Sequence, residues 1–237
     1  MKLSSKMFLS SGITFGVFLL FTILVMTVDV RPLGPQHTNI GFADFNTTIF
    51  KAFGGNHTAE LISTILGYIT ILLAFSFGCV FLYQWIKRKS LKKVDPELFA
   101  LLCFYVVLMI VYAIFLVIKI NYNPSKLDKL EPSYPSSHTL LFCSVLFSAM
   151  FYLMYFTKNI KVVRVLQVVF GLLMVCGVVT RMLSGMHWAT DIIGSIILSA
   201  ALVFALFGTN FFFSERSEEK AVEEPKQMEK VENEKRS

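Results

Sequence analysis

Six stretches of about 20 apolar residues, near 7–28, 59–86, 97–120, 137–157, 162–182 and 189–213, run along this chain of 237 residues. A helix needs roughly 20 apolar residues to cross ~30 Å of hydrocarbon. A backbone inside lipid must also satisfy its own polar groups, which for runs of this length leaves the helix. The expected fold is therefore all-α, a bundle of six transmembrane helices. A hydrophobic share of 55%, with 24 Phe, and a mean hydropathy of +0.64 exceed what a soluble domain carries. The length leaves room for one membrane domain. The first run is too long for a signal peptide and lacks a small-residue exit, so it counts as a span.

The flanking charges alternate. Lys2 and Lys6, then Lys87, Arg88, Lys89, Lys92 and Lys93, then Lys158, Lys161 and Arg164 occupy one set of ends. The other loops, near 29–58 and 121–136, carry only Arg31, Lys51, Lys126 and Lys129. Cationic loops stay inside, so both termini are expected in the cytoplasm. The net charge of +6 then follows from topology, and no nucleic-acid partner is implied. Residues 1–213 form the membrane domain. Residues 214–237 alternate Glu with Lys and have almost nothing to bury, as in a cytoplasmic tail that is disordered or weakly helical. Cys79, Cys103, Cys143 and Cys176 fall inside spans as apolar packing residues, without the spacing of a zinc site or disulfide framework.

In the first outer loop, Phe42, Phe45, Ile49, Phe50 and Phe53 recur at helical spacing. They predict a short interfacial helix, either laying its phenyl face in the lipid or capping the bundle. Asn46-Thr47-Thr48 and Asn56-His57-Thr58 are glycosylation sequons on the same side. His37 and His57 read as solvated loop residues, and Trp188 as an interfacial belt residue.

Ionisable groups inside or at the edge of a membrane are costly and point to function. Tyr134-Pro135-Ser136-Ser137-His138 opens the fourth run; Arg181 closes the fifth, and His187 and Asp191 open the sixth. Alternating topology puts all of them at one membrane depth. A helix start at Ser136, Ser137 and His138 presents unpaired N–H groups that favour an anion. His187 and Asp191, four residues apart, share a helix face, so the carboxylate can hold one imidazole nitrogen and leave the other free. Arg181 supplies a planar fork for two phosphate oxygens. Spacing alone gives an anion site with two histidines. Arg181 as a snorkelling anchor and a dihistidine haem site are the duller and the rarer alternatives.

Pro-Ser-x-His followed by Arg, five residues, His, three residues, Asp resembles the second and third signatures of the type 2 phosphatidic acid phosphatase family. The resemblance spans roughly residues 60–210. It implies a metal-independent, cofactor-free lipid phosphatase in which His187 attacks phosphorus and Asp191 orients it. His138 would protonate the leaving oxygen and then activate water, while Ser136, Ser137 and Arg181 hold the phosphate oxygens. The short loop between the third and fourth spans looks like the compact bacterial members. It implies a plasma-membrane enzyme of the cell envelope with its site facing outside. The implied substrates are lipid phosphates: isoprenoid pyrophosphates such as the undecaprenyl carrier, phosphatidylglycerophosphate or phosphatidic acid.

The first family signature is Lys, six residues, Arg-Pro. Aligned on Asn123-Pro124, this chain has Leu116 and Asn123 at the two cationic positions. Lys119, one turn beyond Leu116, and Lys126 and Lys129 on the loop are candidates to restore the charge, and Lys119, Asn123 and Lys126 join the expected substrate-binding set. Two rival functions follow: transfer of the phosphoryl group to another lipid, or a non-catalytic lipid-phosphate binder or permease.

Overall fold

The computed structural model describes the backbone of residues 1–236 and the side chains as far as Ala221, with that of Glu223. Helix α1 spans Leu3–Thr27; a hairpin of β1 (Arg31–Leu33) and β2 (Thr38–Ile40) follows, and then α2 (Ala43–Phe53). The bundle continues with α3 (His57–Arg88), α4 (Pro96–Val117), α5 (Ser137–Leu141), a π turn at Phe142–Leu146, α6 (Phe147–Tyr152), α7 (Ile160–Leu183) and α8 (Ala189–Arg236). Six of these segments are long and apolar enough to cross a membrane, α5 and α6 forming one of them over Ser137–Tyr155. They match the six expected spans.

Helix ends fall where capping chemistry permits. Asn56 begins α3, its Oδ1 accepting from the Ala59 N–H at 3.0 Å, and Asn159 does the same for α7 through the Lys161 N–H. Pro96 takes the first position of α4, where its missing N–H costs nothing. α8 runs on past the apolar span into the charged segment, reaching Arg236. Where the charged segment begins, Glu215 accepts from the Ser4 N–H at 3.1 Å, and Glu219 pairs with Lys2. α1 therefore runs alongside the membrane part of α8, with Ser11 donating to the Ala201 carbonyl at 2.8 Å.

The most buried layer is the Ser137–Tyr155 span, 56% buried, against 6% for α7 and 11% for α1. An inner helix wrapped by outer ones results, and the outer ones present apolar faces that suit lipid. Cys79, Cys103 and Cys176 lie on those outer faces and not in the core, because each sits on the lipid side of its helix.

The first loop is more ordered than its sequence suggests. Arg31 in β1 makes a two-pronged bond to Asp44, at 2.8 and 2.7 Å, and also pairs with Asp29 at 2.7 Å. α2 caps the bundle: Phe50 packs on Trp188 with centroids 5.7 Å apart, and Phe42 stacks on Phe21. Phe45 and Phe53 turn outward. The phenyl face is thus split between bundle and surroundings.

Candidate active site

Every motif residue lies at the bundle end that carries the hairpin and α2. Leu183 accepts from the Asn56 N–H at 3.0 Å, which joins the end of α7 to the start of α3. Between α7 and α8 the chain turns at Gly185, whose φ of +70° L side chains rarely adopt and whose Cβ, if present, would lie 2.5 Å from the Gly55 nitrogen. This turn delivers His187.

The loop from Asn121 to Ser136 is tied to itself. The Asn123 N–H donates to the Glu131 carbonyl and the Ser133 N–H to that of Asn121, both at 2.9 Å. Tyr134 anchors the loop into the core, its ring between Phe18 and Phe115 and its hydroxyl 2.7 Å from Thr22 of α1. The Ser133 carbonyl is thereby held against α8, where it lies 2.9 Å from His187 Nδ1. On the other ring nitrogen, Arg181 Nη2 sits 3.0 Å from His187 Nε2. Guanidinium can only donate and a carbonyl can only accept. The two bonds together therefore fix one neutral tautomer, with the proton on Nδ1 and a lone pair on Nε2. Burial pushes the His187 pKa below the ordinary 6.5; Asp191 opposes the shift and the Arg181 charge adds to it.

Asp191 stands elsewhere than its expected role requires. Its Oδ2 is 3.7 Å from His187 Nδ1, too long for a hydrogen bond. It accepts instead from the Trp188 N–H at 3.0 Å and from Asn121 Nδ2 at 2.8 Å. The Ser133 carbonyl orients the imidazole directly, and Asp191 is the acidic member of a cap on α8 that adds its charge nearby.

Ser136 is also corrected. It is fully buried, and its Oγ takes the Thr139 N–H at 3.4 Å and the Thr139 hydroxyl at 3.1 Å, so it caps α5 and is not among the residues that wall the cavity. Ser137 does line the cavity at the site, a space of about 170 Å³ walled also by Arg181, His187, Asn123, Glu131 and Leu116. His138 is not among the residues that wall this space; its ring lies against Gly67 of α3, where an added Cβ would meet Cδ2 at 3.0 Å. Lys119 is exposed and outside the cavity wall, and Lys126 is paired with Glu131 at 3.0 Å. Neither Lys replaces the missing cations. Trp188 is 3% exposed and donates Nε1–H to the Tyr122 carbonyl at 2.7 Å, so it is a buried strut and not a belt residue.

Residues 114–214 match the family model described as the PAP2 superfamily. The match covers the part of the chain that carries Ser137, Arg181, His187 and Asp191. The chain is similar in fold to the crystal structure of a transmembrane PAP2-type phosphatidylglycerolphosphate phosphatase from Bacillus subtilis, with a TM-score of 0.59 and 18% identity over 87% of this chain and 96% of that one. No curated protein sequence matches. Together with six apolar helices, these findings make the chain an integral membrane protein.

Several residues that matter here escaped the sequence. Asn121, Thr190 and Asn46 form a buried chain: Asn46 Nδ2 donates to Thr190 Oγ1 at 2.9 Å and its Oδ1 takes the Thr190 N–H at 3.2 Å. Asn46 is fully enclosed, so its sequon is closed to glycosylation once the chain has folded. Ser63 of α3 accepts from Arg181 Nη1 at 3.4 Å, and Arg181 Nε is buried without a partner among the described residues. The only forewarning of Asn121 was a polar residue directly after an apolar run.

Proposed function

We propose that this protein is a membrane lipid phosphatase that works through a phosphohistidine on His187 Nε2. The observation that carries this reading is the neutral His187 ring, whose unprotonated Nε2 meets the Arg181 guanidinium at the cavity wall. An anion seated there would take over the Arg181 donors, including the unpartnered Nε–H, and come into line with the Nε2 lone pair.

In the first step Nε2 attacks phosphorus, a P–N bond forms, and the P–O bond to the lipid breaks. His138 turns into the cavity and gives a proton to the departing oxygen. In the second step His138 takes a proton from water, the water oxygen bonds phosphorus, and the P–N bond breaks to release inorganic phosphate. Arg181 and Ser137 hold the equatorial oxygens throughout. The developing positive charge on His187 is met by the Ser133 carbonyl and the Asp191 carboxylate. The sparsely basic loops at this end support a site that faces outward in a plasma membrane.

The test uses purified protein in detergent with a lipid carrying ³²P at its terminal phosphate. Wild type should release labelled phosphate and, on rapid acid-free quenching, hold label in base-stable linkage to protein. His187→Ala should do neither. Release at the wild-type rate from His187→Ala would end the proposal, and label appearing in an acceptor lipid would assign a transferase.

A further inference from the structure

The residues lining the cavity carry an unusual charge balance. Among the described residues that wall it, Arg181 is the cation and Glu131 the anion, while Leu116, Phe115 and Tyr112 supply an apolar side and Asn123 a neutral amide. Glu131 and Asn123 are backbone-paired neighbours, so the carboxylate and the amide reach the cavity from one short stretch of loop. Lys126 holds the Glu131 Oε2 at 3.0 Å from the outer side and is not itself part of the wall.

Building on the phosphatase reading, we propose that Glu131 selects the substrate class: the site accepts lipid phosphomonoesters and rejects lipid diphosphates. One phosphate is met by Arg181, Ser137 and the His187 nitrogen. A second phosphoryl group, with at least one further negative charge, would have to lie against a carboxylate, an amide and apolar side chains. A like charge a few ångström away in a half-buried setting is repulsive by an amount that matters for binding. The neutral alcohol portion of a monoester has no such penalty, and a hydroxyl on it finds an acceptor in Glu131. Lys126 tempers the repulsion, which fixes the sign of each substitution. Removing the Glu131 charge frees Lys126 and should favour diphosphates. Removing the Lys126 charge uncovers Glu131 and should disfavour them further.

Binding is read by calorimetry on the full-length protein in detergent, with two probes that cannot turn over: a dodecylphosphonate and a dodecyl methylenebisphosphonate. Wild type should bind the first about tenfold more tightly than the second. Glu131→Gln should narrow that ratio about fivefold, Glu131→Asp should keep it, and Lys126→Met should widen it. Equal or tighter binding of the bisphosphonate overturns the proposal, as does a ratio unmoved in Glu131→Gln or failure of both probes to bind. The outcome is separable from catalysis: a retained ratio in a protein that releases no phosphate from any lipid would refute the enzyme and leave the selectivity standing.

Discussion

Asn121 is the most exacting test of how the site is held. Its side chain and that of Asp191 are both fully buried, and Nδ2 lies 2.8 Å from Asp191 Oδ1. A hydrogen bond to a charged group is worth ~1.5–3 kcal/mol. If Asn121→Ala loosens the carboxylate beside His187 and the loss falls on the transition state, the rate should drop roughly ten- to hundredfold. Stability should fall as well, because Asp191 Oδ1 is left buried without this donor, offset in part by the loss of the unpartnered Asn121 Oδ1. The loop should persist, since Ser133 bonds the Asn121 main chain. Steady-state assays on a short-chain phosphomonoester should show kcat falling with KM nearly unchanged. A folded Asn121→Ala protein with kcat within about twofold of wild type would refute the reasoning, since the lost bond is worth far more than that.

Gly67→Ala should push the His138 ring, which would lie 3.0–3.3 Å from the new Cβ, and lower kcat about tenfold with an unchanged melting temperature. The neutral state of His187 sets a pH dependence. Because the folded pKa lies below 6.5, the unfolded chain binds the proton first as pH falls, so stability is full above 6.5 and declines below it; the acid limb of kcat/KM should likewise lie below 6.5. Both are read from melting curves and rate profiles between pH 4 and 8. For sidedness, Gln36→Cys in the exposed hairpin turn should react with a membrane-impermeant maleimide in intact cells, and Lys92→Cys only after permeabilisation. The reverse pattern would invert the topology.

The spans were legible because burial in lipid writes its length into composition, and all six appear where the apolar runs lie. Arg181, Ser137, Asn123 and His187 were legible as a set because helix alternation alone brings them to one end, and they do wall one cavity. What the sequence could not show is which atom meets which. The spacing of His187 and Asp191 permits a hydrogen bond, yet a backbone carbonyl from a loop 54 positions earlier takes the proton first. Likewise Ser136 has the chemistry of a phosphate ligand and of a helix cap, and only the path of the loop decides for the cap. The hairpin at 31–40 carries no alternating pattern, being set by the Arg31 clamp on Asp29 and Asp44.

That the Ser133 carbonyl steers His187 has a consequence for tinkering with this site. A peptide oxygen is present whatever side chain occupies the position, so no exchange of residue 133 can delete the acceptor. The ring can be misdirected only by rerouting the main chain, through the Tyr134 plug in the core or the rungs between 121–123 and 131–133. Screens that vary side chains one at a time would therefore find the aim of the nucleophile robust at the position that sets it, and fragile at the adjacent Tyr134, whose side chain plugs the loop into the core.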